Sequence, residues 1–123
     1  MMRSLIVGMA LLASPASAYL AQNNYIVRDL GNGQFEVQVK GGLSAPAAWC
    51  AMGDYAMRYL NLPPATPIWR VSEPPRRQGQ TIVFALTGEG AASKTGLLVL
   101  NETDASLSAG FAQEFCWNPD TLD

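Results

Sequence analysis

The chain has no histidine among its 123 residues. That absence removes the serine–histidine and cysteine–histidine pairs of nucleophilic catalysis, and with them the commonest neutral metal ligand. Two cysteines without histidine match no usual zinc set either. Charge is sparse, with eight basic and ten acidic residues and a formal net of −2. No basic stripe follows a phosphate backbone, so nucleic acid is not an expected partner. A phosphate cradle is also missing, because Gly88-x-Gly90 lacks the further glycine and the Lys-Ser/Thr that such a loop needs. No catalytic residue, no cofactor and no metal site is expected.

A long apolar run is missing as well. A membrane-spanning helix needs roughly 20 apolar residues, and the run from Leu5 to Ala13 has nine. It follows Arg3, and Ser14-Pro15 interrupts it before Ala16-Ser17-Ala18. A basic residue, a short apolar stretch and a small-x-small site are the parts of a cleavable secretory signal. The expectation is a signal peptide over 1–18 and one domain over 19–123, exported to the periplasm or beyond the cell. No membrane span would remain after cleavage. No cysteine follows the cleavage position, so a lipid anchor is not expected. Arg3 leaves with the signal, so seven basic residues then face ten acidic ones.

Both cysteines, Cys50 and Cys116, lie in the exported part. An even count in an oxidising compartment argues for a disulfide. Closing so long a loop would restrict the unfolded chain by about 4 kcal/mol, a large share of a small domain's net stability. A nucleophilic thiol at Cys50 is the competing reading, but the only bases on offer to it are carboxylates or lysine.

Residues 24–30, the turn Gly31-Asn32-Gly33 and residues 34–40 read as a β-hairpin. Phe35, Val37 and Val39 alternate with Gln34, Glu36, Gln38 and Lys40, the period-two pattern of a half-buried strand. Ser44 is the expected N-cap of a helix over 45–60, with Pro46 in its first turn. Trp49, Met52 or Gly53, Ala56 and Leu60 supply its apolar stripe. Asp54 and Arg58, four apart, are expected to pair on another face. Asn61-Leu62-Pro63-Pro64 ends the helix. Further strands are expected over 68–72, 80–87 and 97–100, separated by loops over 73–79 and 88–94. Residues 105–116 read as a short helix capped by Asp104, with a strand as the alternative. The expected fold is therefore α+β: an antiparallel sheet of about five strands, with one main helix and a short C-terminal helix on one face.

Paired carboxylates can run glycoside hydrolysis, but most acids here fall on expected solvent faces, loops or the tail. Two surfaces are candidates for binding. One is the helix face with Asp54, Tyr55, Arg58 and Tyr59, because tyrosine and arginine are common interface anchors. The other is Arg76-Arg77 on the proline-stiffened loop, suited to an acidic ligand.

The stretch from Trp49 to Arg58 (WCAMGDYAMR), followed later by Phe115-Cys116, resembles small uncharacterised exported proteins of proteobacteria. In these a Trp-Cys-x-x-Gly-Asp-Tyr-Ala helix precedes a strand and a late Phe-Cys. The resemblance covers the middle and end of the chain. It implies a periplasmic location and a Cys50–Cys116 bridge, and it brings no assigned activity. Within the motif, Gly53 admits a neighbouring backbone, Trp49 fills core and Cys50 anchors the staple.

The function expected from these features is a non-enzymatic exported domain that contacts a protein or a cell-envelope component. The alternatives are a small carboxylate-based hydrolase of envelope polymers and a self-assembling structural accessory.

Overall fold

The computed structural model describes residues 18–38, 44–77, 79–98 and 103–117. Six strands form one antiparallel sheet: β1 (Ala18–Leu20), β2 (Ile26–Asp29), β3 (Gln34–Val37), β4 (Pro67–Arg70), β5 (Ile82–Ala85) and β6 (Ser106–Ser108). Their spatial order is β1-β2-β3-β5-β4-β6. Two helices, α1 (Ala45–Asp54) and α2 (Ala109–Glu114), complete an α+β domain.

The hairpin forms where the turn glycines allow it. Gly31 and Gly33 adopt φ of 88° and 83°, values that cost glycine nothing and other residues a clash. Asp29 Oδ1 accepts the Gly31 N–H at 2.8 Å and pins the turn. The period-two reading of β3 holds, since Phe35 and Val37 are buried; Val39 and Lys40 lie outside the described residues.

Register carries one apolar row across four strands: Tyr19, Val27, Val37 and Ile82 stand opposite one another in turn. A second row runs Asp29, Phe35, Phe84 and Arg70. Helix α1 packs on this face. Its Trp49 ring meets Phe84 edge-on at 4.7 Å, and Tyr55, just beyond the helix, lies 5.4 Å from Phe35.

Ser44 caps α1, its Oγ accepting the Ala47 N–H at 3.3 Å. The chain then widens into a π-helical turn over Tyr55–Tyr59, closed by Leu60 N–H donating to the Tyr55 carbonyl. Asn61 at φ 58° takes the left-handed conformation that ends helices, and the prolines behind it prevent resumption. The Cys50–Cys116 disulfide forms, with Cα atoms 5.0 Å apart, and joins α1 to the end of α2.

Several expectations need correction. Leu97 and Leu98 are not in a strand, and the rest of the expected 97–100 strand lies outside the described residues. The Leu97 N–H turns back onto Thr95 Oγ1 at 3.1 Å, so this donor is spent locally and not on a ladder. The expected 105–116 helix is split: Ser106–Ser108 pairs with β4 as a strand, and only Ala109–Glu114 is helical. Its cap is Ser108, whose Oγ accepts the Phe111 N–H at 3.1 Å. Asp104 instead holds the Ser106 N–H and hydroxyl in a turn. Strand β1 has no counterpart among the expected elements and begins at Ala18.

Candidate functional site

Where α1 passes into the π-helical turn, the chain buries a carboxylate. Asp54 is fully buried, so its oxygens need partners within the protein. Oδ2 accepts the Tyr19 hydroxyl at 2.9 Å and the Gln22 N–H at 3.0 Å. Oδ1 accepts Arg58 Nη1 at 3.4 Å and Gln113 Nε2 at 3.3 Å. One carboxylate thus ties β1, the loop behind it, the π-helical turn and α2 together. Burial, and then the hydrogen bond to Asp54, raises the Tyr19 hydroxyl pKa above its ordinary value.

The expected helix face is therefore divided. Asp54 and Tyr55 belong to the core, with Tyr55 2% exposed, while the Arg58 side chain is 62% exposed and Tyr59 is 51% exposed. Asp54 does pair with Arg58, but from inside the protein and not from a solvent face. The Tyr55 and Tyr59 rings stack at 5.2 Å, and Tyr19 abuts both. Burial pushes the Tyr55 hydroxyl up to about 12, with Asp29 and Tyr59 adding to the rise.

A second buried charge lies at the end of β4. Arg70 is 1% exposed. Its Nε donates to the Ser72 carbonyl at 2.7 Å and its Nη1 to the Thr95 carbonyl at 3.0 Å. Among the described residues no carboxylate pairs with it. Burial lowers its pKa, and backbone carbonyls satisfy the cation. Gly96 is required here, because a Cβ at that position would overlap the Arg70 guanidinium. Trp49 Nε1 donates to the same Thr95 carbonyl at 3.1 Å. Glu73 accepts the Ser93 N–H at 2.9 Å and also the Ser93 hydroxyl. Those two bonds hold its carboxyl below the usual carboxylate range.

Beside this anchor, the β4–β5 connection folds over β5 and leaves an open groove of about 810 Å³. Its walls include Ser72, Glu73, Pro74, Pro75, Arg77 and Val83, and the Pro74–Pro75 peptide bond is cis. The two loop arginines have different fates. Arg76 is half-buried and donates to the Arg77 and Gln80 carbonyls, which makes it part of the loop's own frame. Arg77 is exposed, with its backbone engaged on both sides: its N–H donates to Gln80 Oε1 and its carbonyl accepts from Arg76 and from the Gln80 N–H.

The chemistry this arrangement can perform is limited. Among the described residues Glu73 is the one carboxylate lining the groove, and Ser93 occupies both of its oxygens. The other strongly placed carboxylate, Asp54, has no contact with solvent. Glu102, two residues before Asp104, lies outside the described residues. Cys50 and Cys116 are bonded to each other, so neither offers a thiol. Among the described residues no group of three His, Cys, Asp or Glu side chains is placed to hold a metal ion, and no helix is long and apolar enough to cross a membrane.

Tyr19, Gln113, Arg70 and Thr95 were not candidates from sequence. Only Arg70 carried a signal, because alternation along 68–72 places it on the same face as Ile68. A charge on an apolar parity is a buried charge. No protein-family model, curated protein or solved structure matches the chain.

Proposed function

We propose that the chain is a non-enzymatic exported domain that binds a protein or cell-envelope component, with the groove under residues 73–77 as its contact surface. The observation that carries this reading is the disposition of charge around the groove. Ser93 engages Glu73, and loop carbonyls engage the Arg76 guanidinium. Arg77 remains as the cation whose guanidinium has no described partner. A segment that places an acidic group at Arg77 and an apolar side chain against Pro74, Pro75 and Val83 fits such a surface. Arginine is well suited to this role, because its planar fork meets carboxylates in two parallel bonds. Arg58 and Tyr59 form a second exposed patch at the other end of the sheet order, beside β1.

The export half of the reading rests on the signal-like N-terminus, and the Cys50–Cys116 bridge is consistent with an oxidising compartment. The test is capture on the immobilised, oxidised protein from an envelope extract, run beside an Arg77→Glu variant with the same melting temperature. Retention of one dominant acidic partner by the wild type and its loss from the variant is the expected result. Equal retention by both would reject the groove as the binding surface.

A further inference from the structure

Strand β4 leaves its neighbour early, and the vacated side of β5 opens into the groove. The two strands pair at Trp69–Ala85 and Arg70–Phe84, and the Val71 N–H still reaches the Val83 carbonyl at 2.7 Å. There the ladder ends. Arg70 Nε takes the Ser72 carbonyl at 2.7 Å, so that acceptor is held by the buried guanidinium and not by β5. The Ser72 hydroxyl stands in for it, accepting the Val83 N–H at 3.0 Å. Glu73-Pro74-Pro75 then carries the chain onward, and neither proline has an N–H with which to resume pairing.

In an antiparallel sheet the N–H and C=O of one residue point to the same side, and alternate residues share that side. Val83 directs both groups toward β4. By the same alternation Thr81, two residues earlier, faces the side that β4 has left. Among the described residues neither the Thr81 N–H nor its carbonyl has a hydrogen-bond partner. Thr81 is half-buried and lines the groove together with Pro74, Pro75, Arg77 and Val83. An unpaired donor and acceptor on a strand edge are a template for one more extended chain.

We propose that the groove takes an extended peptide by strand addition. The peptide backbone pairs with Thr81 in the place that β4 vacates, and one acidic side chain meets the Arg77 guanidinium. Apolar side chains beside that acid rest on Pro74, Pro75 and Val83. Glu73 in the same lining disfavours a second acid, so a single carboxylate and not an acidic run is selected. Backbone pairing supplies affinity with little regard to sequence, while Arg77 and the prolines supply the choice of partner. A saccharide has no row of amide donors and acceptors at strand spacing to match this edge. The inference rests on the reading of the groove as a contact surface and narrows its occupant to a protein with an extended segment.

The experiment selects random short peptides, displayed on phage, against the oxidised protein, and measures the affinity of the synthesised winners by calorimetry. The expected peptides carry one aspartate or glutamate with apolar residues near it. Binding of a selected peptide should protect the Thr81 amide from hydrogen exchange, and Arg77→Glu should weaken it about tenfold or more. Thr81→Ala keeps both backbone groups and should bind like the wild type. Thr81→Pro removes the N–H and should bind about three- to tenfold more weakly. Single N-methyl groups scanned along the peptide give the reciprocal test, which holds even where Thr81→Pro fails to fold. One position should lose binding, because it carries the donor to the Thr81 carbonyl. Peptides that depend on Arg77 but neither protect Thr81 nor show a sensitive N-methyl position would overturn strand addition and leave the groove reading standing. A library without binders, beside a capture from envelope extract that still depends on Arg77, would do the same. Selected peptides indifferent to Arg77→Glu would overturn both.

Discussion

Trp49 and Arg70 donate to the same atom. The indole Nε1 lies 3.1 Å and the guanidinium Nη1 3.0 Å from the Thr95 carbonyl oxygen, whose two lone pairs can accept both. A helix and a strand are thereby fixed to one point on the connection that follows β5. Trp49→Phe keeps an aromatic ring in the core and removes one donor, at a cost of about 1–2 kcal/mol. Arg70→Ala removes both of its donors and leaves a void, so its cost should reach about 3 kcal/mol or more. Urea unfolding measures both. Trypsin adds a local readout, because Lys94 sits next to Thr95: the wild type should resist cleavage there and Arg70→Ala should not.

Gly53 is where the two helices meet. A Cβ on it would lie 2.7 Å from the Gln113 nitrogen, 2.9 Å from the Ala109 oxygen and 2.9 Å from the Ala112 Cβ. The obstacle is mostly backbone, which cannot rotate aside. Gly53→Ala should therefore destabilise by about 1–3 kcal/mol through overpacking, despite alanine's better helix propensity. A melting temperature equal to the wild type would show that α2 moves away at little cost.

The disulfide closes a loop between residues 66 apart and joins the buried Cys50 to a segment with little core of its own. Replacing both cysteines by serine should remove about 4 kcal/mol and lower the melting temperature by more than about 10 °C. Calorimetry with and without reductant gives the same comparison on the wild type. Coincident melts would deny the bridge any stabilising role.

Acid should loosen the 91–98 segment through one carboxyl. Ser93 holds the Glu73 pKa below its ordinary value, so the folded state favours the ionised form. The stabilisation is complete above the unfolded carboxyl's pKa of about 4.3 and is lost as pH falls through the lower folded value. Hydrogen exchange at the Ser93 amide should accelerate relative to its intrinsic rate over that interval. Glu73→Gln should abolish the pH dependence; an unchanged profile would assign it to another group.

What could be read from the sequence was local. The Gly31 and Gly33 turn, the Ser44 cap and the Asn61-to-Pro64 stop each act over four residues or fewer, and all three are where their residue types place them. The disulfide was readable from the even cysteine count and the signal-like N-terminus. Strands β1 and β6 were not, because three residues carry no usable periodicity. Asp54 was misplaced for a related reason. Spacing to Arg58 suggests a solvated pair, and only Tyr19, Gln22 and Gln113, distant in sequence, convert it to a buried hub. Leu97 and Leu98 had the composition of a strand, but Thr95 takes the first of their donors for a turn.

The partners of Asp54 also set a condition on synthesis. Tyr19 and Gln22 emerge from the ribosome early, whereas Gln113 and Cys116 emerge almost a hundred residues later. The first strand cannot complete its docking site until the last helix is made, because α2 covers Gly53 and closes one side of the carboxylate's surroundings. A nascent chain stalled before residue 109 would hold a buried acid short of a donor and a helix short of its covalent tether. Completion of this site therefore needs both ends of the chain, and a chain truncated before residue 109 should lack a fully satisfied Asp54.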